Sequence, residues 1–179
     1  MTLRRRRLLG LLAVATVGSA GCLGDDDGPE GEPASEATIG LQTASFDEAF
    51  VWIEAGGTVD FVHEAGQHTV TLFHEDNDVP HRAPDGVEAF DVEIESGQVQ
   101  RTFDTEGVYT IFCRPHATNG MATAVVVEDV SEDEAGLADA QDELSDGMRS
   151  SIDAINAEIR SFFGLDNGDA NDNGGGPGY

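Results

Sequence analysis

Three residues within a nine-residue stretch of this 179-residue chain could bind a redox metal together. The stretch Cys113-Arg-Pro-His116-Ala-Thr-Asn-Gly-Met121 sets a thiolate, an imidazole and a thioether at Cys-x2-His-x4-Met spacing. A second imidazole, His68, lies about forty-five residues upstream. Soft sulfur favours Cu(I) and imidazole supports Cu(II), so two histidines, one thiolate and a weak axial methionine make a ligand set in which one copper ion can cycle between both states. Zinc also takes Cys and His, but a closed structural zinc site normally uses more thiolates and rarely a methionine. Without a metal, Cys113 and Met121 would be ordinary core residues and His116 a surface turn, a reading the spacing disfavours.

The elements that must hold these donors read as short strands. His68-Thr69-Val70-Thr71-Leu72 alternates strictly, which sends His68, Val70 and Leu72 to one face and the threonines to the other. Cys113 shares a face with Ile111 and Tyr109, and Ala122 to Val127 reads as a last strand buried on both sides. Turn signals at Ala55-Gly56-Gly57, Ser96-Gly97 and Glu106-Gly107 give the rhythm of an antiparallel sandwich. The expected fold class is therefore all-β, one domain over residues 38–130. Beyond Val130 the period changes. Ser131 and Glu134 form a capping box ahead of Leu137, Leu144, Met148, Ile152, Ile155, Ile159 and Phe162, which predicts an amphipathic helical extension over 131–163, with a break near Asp146-Gly147. Such a helix would cover an apolar patch of the sandwich or offer a docking surface. The Gly-, Asn- and Asp-rich tail 164–179 is expected to be disordered.

At the other end, four arginines and a 13-residue apolar run from Leu8 to Ala20 give residues 1–21 the layout of an export signal. Arg5-Arg6-Arg7-Leu8-Leu9 is similar to a twin-arginine signal, and Ser19-Ala20-Gly21-Cys22 to a lipobox, although Ser19 stands where Leu is usual. Cys22 is thus a candidate for lipidation and the outer face of the cytoplasmic membrane the expected location; a freely secreted chain is the alternative. Residues 22–37 would form a flexible acidic tether. Cys22 and Cys113 are the only cysteines, and a pairing is disfavoured because each has another use.

The formal net charge is −26, with nine arginines and no lysine. Removing the leader leaves 5 Arg against 35 acids, a net of −30. Such repulsion is tolerable in concentrated salt, where the screening length falls to about 3 Å at 1 M, so the composition points to a halophile. It also excludes nucleic acid as a partner.

Residues 46 to 129 resemble the plastocyanin/azurin family of cupredoxins, most of all the archaeal halocyanins. The resemblance rests on Gly56-Gly57-Thr58-Val59, Gln67-His68-Thr69-Val70-Thr71, Gly107-Val108-Tyr109 and the loop from Cys113-x-Pro115-His116 to Gly120-Met121. It implies a Greek-key β-sandwich with copper near one end, held by His68, Cys113, His116 and Met121, and the edge of the second histidine exposed for electron exit. One position departs: the family commonly has Asn after the first ligand histidine, where it braces the site, and here Thr69 stands, expected to lean outward.

The function implied is one-electron transport outside the cytoplasm, passing electrons to redox proteins such as membrane complexes or oxidases. A copper chaperone or store is the alternative, but those use paired cysteines or methionine clusters and this chain has three Met. No His-x-His pair signals further copper with an open position, so an enzyme is not expected. If the surroundings are molar in salt, partners would dock on an apolar patch around Pro115, His116 and Ala117 rather than by charge. His63, His74 and His81 remain; His74 and His81 are expected to be exposed surface groups, with a second metal site as the alternative.

Overall fold

The computed structural model describes residue 29 and residues 31–165. The export signal, Cys22, most of the tether and nearly all of the tail lie outside the described residues. Among the described residues seven strands form in order: β1 Ala34–Leu41, β2 Phe50–His63, β3 His68–Leu72, β4 Asp91–Ile94, β5 Gln98–Phe103, β6 Gly107–Phe112 and β7 Ala122–Val127. Strand pairing begins at Ala34, inside the segment expected to be tether.

Strand β2 ties the two layers together. Its first residues, Phe50–Ile53, run parallel to β7, which continues through β6, β3 and β4 by antiparallel pairs. Its later residues, Gly57–Val62, pair antiparallel with β5 and parallel with β1. The turn expected at Ala55-Gly56-Gly57 is thus a bend inside one long strand, and the sheet is mixed rather than purely antiparallel. Between the layers lies one apolar cluster with Ile39, Leu41, Phe61, Val70, Leu72, Tyr109, Ile111, Val125 and Val127. Cys113 and Met121 belong to it.

The outer face of β6 and β7 is covered as well, since Val108, Ala124 and Val126 pack against the C-terminal helix. That helix, α1, spans Asp146–Phe162 and not the whole of 131–163. The Ser145 hydroxyl accepts the Met148 N–H and so caps it, while the Ser131 to Glu134 segment leads only into a 3₁₀ turn at Ala135–Leu137. The apparent break at Asp146-Gly147 is therefore the helix start. Ile155 and Ile159 meet the β6–β7 face, and Met148 and Ile152 meet Phe73 and Phe112. Each such buried side chain contributes roughly 1.5–3 kcal/mol of hydrophobic stabilisation. Phe162, expected on the apolar face, is 37% exposed, and Phe163 is buried in its place. Among the described residues no helix is long and apolar enough to cross a membrane.

One cation sits inside this layer. Arg82 is fully buried, and its Nη atoms donate to the carbonyls of Gly136, Ala138 and Asp139 and to Asn156 Oδ1. Among the described residues no carboxylate bonds it directly; burial lowers it to about 10 against the opposing pull of Asp153 and Asp139, so it remains charged at neutral pH. The guanidinium thereby fastens the 136–139 segment and α1 onto the sheet.

Candidate metal centre

The loop between β6 and β7 carries three of the four expected donors. It leaves β6 at Cys113 and re-enters β7 after Met121, closed by the Cys113 N–H to the Met121 carbonyl at 3.0 Å and the Met121 N–H to the His116 carbonyl at 3.3 Å. Pro115 stands near the start of a 3₁₀ segment, Arg114–Asn119, where its missing N–H costs no bond. Gly120 ends it at φ 81°, a left-handed turn that favours glycine. A side chain there would also collide with α1: its Cβ would lie 2.3 Å from the Gly147 carbonyl oxygen. The Ser145 hydroxyl donates to the Ala117 carbonyl at 3.2 Å, so the helix N-terminus is seated on the ligand loop.

Strand β3 brings in the fourth donor. His68 is 3% exposed, and its Nδ1 lies 3.5 Å from Cys113 Sγ. His116 Nδ1 lies 3.4 Å from the same sulfur, and the two rings are 5.1 Å apart. For bonds of about 2.0 Å to nitrogen and 2.3 Å to sulfur, donors round one ion stand roughly 3.5–3.8 Å apart, so the set fits a single metal with little movement. His68 Nε2 lies 2.6 Å from the Ala65 carbonyl, which can only accept, so the proton sits on Nε2 and the Nδ1 lone pair faces the sulfur. Gly66 allows this: at φ 102° its missing Cβ would be 2.9 Å from His68 Nε2. Met121 is 2% exposed and packs in the same cluster as Cys113.

Burial pushes the Cys113 thiol above its ordinary value, opposed by hydrogen bonds from Thr69 and His116. Without a metal the group is a thiol, and a metal that takes the sulfur releases its proton.

The structure corrects the reading of Thr69. Both threonines of β3 are buried, not solvent-facing. Thr69 Oγ1 accepts the Arg114 N–H at 2.9 Å and donates to Thr71 Oγ1 at 2.7 Å, and Thr71 donates to Asp91 at 2.8 Å. Arg114 Nε returns to Asp91 at 2.5 Å, closing a ring from the residue after Cys113 back to itself. Thr69 thus braces the ligand loop through a polar circuit in which each bond polarises the next. Sequence reasoning missed this circuit, and also Ala65, Gly66 and Ser145, and it met Gly147 only as a break in the helical period. Gly66 and Ser145 left signals in composition alone, without a partner to give them meaning.

His63 also lies close, its ring 5.9 Å from that of His68, but its Nε2 is used by the Gly66 carbonyl at 2.7 Å. His74 corrects the sequence reading: it is buried, 7% exposed, with its ring 5.0 Å from that of His81.

Comparison with known proteins agrees with this geometry. The family model for copper binding proteins, plastocyanin/azurin family, matches residues 34–128. Plastocyanin of Ulva arasakii is 33% identical over 90 residues, 47% of this chain and 87% of that protein. Among solved structures, pseudoazurin from Methylobacterium extorquens superposes with a TM-score of 0.58 at 25% identity, over 69% of this chain and 98% of its own. A pseudoazurin from Sinorhizobium gives a TM-score of 0.56 at 27% identity, over 71% and 98%.

Proposed function

We infer a one-electron carrier, and the premise is plain: the chain belongs to the plastocyanin/azurin family of copper-binding proteins. Its donor set of His, Cys, His and Met is that of type 1 copper. The observation that carries the reading is the convergence of two imidazole nitrogens on the Cys113 sulfur at 3.4 and 3.5 Å, with Met121 buried beside it.

When bound, copper supplies the Cu(I)/Cu(II) couple. The protein's own contribution is to hold the donors still. His68 is fixed by Ala65, the loop by the Thr69–Thr71–Asp91–Arg114 circuit and by the seat on α1. Donors that cannot follow a change of oxidation state keep the rearrangement between states small, which favours fast transfer. Electron exit is supported at His116, which is half-buried beside exposed Pro115 and half-buried Ala117. Cupredoxins generally pass electrons to redox proteins, and this rim is the surface proposed for docking. The chain is a small carrier rather than an enzyme.

Copper-loaded protein should give a reversible one-electron wave in voltammetry, with transfer to a redox protein changing less than about threefold across the molar salt range. An irreversible wave, or copper handed whole to a chelating acceptor faster than electrons are exchanged, favours the chaperone reading. Steep loss of rate with salt would remove the apolar docking surface.

The halocyanin-like setting is supported by the lysine-free, acid-rich composition, and the location outside the cytoplasmic membrane by the leader and lipobox-like stretch ending at Cys22. Cys22→Ser should release the protein from the membrane fraction; retention of the variant there sinks the lipid anchor. A melting temperature unmoved between dilute buffer and molar salt would count against the halophilic setting.

A further inference from the structure

We propose that His74, Glu75 and His81 form a second metal site, apart from the Cys113 centre, for one divalent cation of the zinc type. The backbone puts the three together. His74 follows β3 in extended conformation and opens a 3₁₀ turn at Glu75–Asn77. The chain then returns, and the Arg82 N–H donates to the Phe73 carbonyl at 3.0 Å, which sets the two ends of the loop side by side.

Both imidazoles lie near one carboxylate, and His81 bonds it directly. His81 Nδ1 is 2.6 Å from Glu75 Oε2, while His74 Nδ1 accepts the Asp76 backbone N–H at 3.1 Å and lies 3.6 Å from the same Glu75 oxygen and 3.8 Å from Asp76 Oδ2. One donor atom from each of His74, Glu75 and His81 lies within 4.8 Å of the others. Donors round a tetrahedral zinc stand roughly 3.3 Å apart for bonds of about 2.0 Å, so an ion would need a small closure and the release of the Asp76 N–H from His74 Nδ1. The other nitrogen of His81, Nε2, is shut off from solvent with no hydrogen-bond partner among the described residues, so the polar contact of this ring is made by Nδ1, the atom beside Glu75.

The donor chemistry sets the ion. Two imidazoles and a carboxylate, with no sulfur, suit a borderline cation such as Zn(II) and give Cu(I) no soft ligand. Glu75, with Asp76 beside it, offsets the charge. The fourth position is open to water or to Asp76. Six residues of extended chain separate His74 from His68, a span of up to about 20 Å, so an ion here belongs to a different place from the Cys113 centre.

An ion at this position would fasten the 74–81 loop at both ends. Val79 of the loop packs against the cluster holding Met148 and Ile152, and the Asn77 carbonyl accepts Arg114 Nη2 at 3.1 Å. Binding to the folded state alone must then raise thermal stability.

The test uses the full chain with copper already at the Cys113 centre, titrated with zinc by calorimetry and followed by thermal melting and visible absorption. One further zinc equivalent is expected, with a melting temperature raised by several degrees and the visible band unchanged. Glu75→Ala, at an exposed position, and His81→Gln should each weaken zinc binding at least about tenfold while keeping the visible band. Three results overturn the proposal: no second equivalent at about 100 μM free zinc, zinc bound equally well by both variants, or uptake in step with bleaching of the band, which puts zinc at Cys113.

Discussion

Replacing Cys113 by serine is expected to remove at least about nine-tenths of the intense visible absorption of copper-loaded protein, because that band arises from copper–thiolate bonding and a hydroxyl cannot supply it. Serine nearly matches cysteine in shape, and the position is fully buried among Tyr109, Ile111 and Met121. The apoprotein should therefore still fold, at a cost of about 1–3 kcal/mol for a buried hydroxyl lacking part of its bonding. Copper bound to the variant should be pale and held more weakly. A Cys113→Ser protein that stayed intensely blue would show that the metal sits elsewhere, and the carrier reading would fall with it.

The largest loss of stability is expected at Arg82, far from any strand register argument. Arg82→Met keeps much of the side-chain volume but removes the charged donor shared by the carbonyls of Gly136, Ala138 and Asp139, of which Gly136 keeps Thr110 Oγ1 at 3.4 Å and Ala138 keeps Asn156 Nδ2 at 3.0 Å. Each hydrogen bond from a charged donor contributes about 1.5–3 kcal/mol, less where water or the remaining partner replaces it, so a total of roughly 3–5 kcal/mol is expected. For a chain of this size that is a fall in melting temperature of about 10 °C or more. Thermal unfolding followed by far-ultraviolet circular dichroism measures it. Stability within about 1 kcal/mol of the parent would mean that the cation is dispensable and the C-terminal segment is held by apolar contacts alone.

The four donors were legible because copper chemistry asks for unusual residue types at short spacing, and a Cys-x2-His-x4-Met loop between two strands leaves few other uses for them. Strand faces were half legible. Alternation in β3 correctly turned His68 inward, but it implied a wet face for Thr69 and Thr71, and that face is closed by the threonine–Asp91–Arg114 circuit. The helix start was misplaced for a physical reason. Ser131 and Glu134 carry the spacing of a cap, yet Gly136 lies against Val108 so closely that a Cβ there would sit 2.4 Å from its carbonyl oxygen, and Arg82 takes the following carbonyls for itself. Those carbonyls face a side chain 54 or more positions away, which no local pattern reveals. His74 and His81 were read as surface groups because nothing in a period of two announces that the chain doubles back through Arg82 to Phe73.

The contact between Gly120 and Gly147 limits how the copper loop can be re-engineered. With Cβ positions 2.3 and 2.5 Å from opposing carbonyl oxygens, loop and helix fit only as two bare backbones. Transplanting a relative's longer or bulkier loop between β6 and β7 would prise the helix end away and uncover Phe73 and Phe112. A successful graft would have to import its own covering segment, so the portable unit in this protein runs from Cys113 through the end of α1.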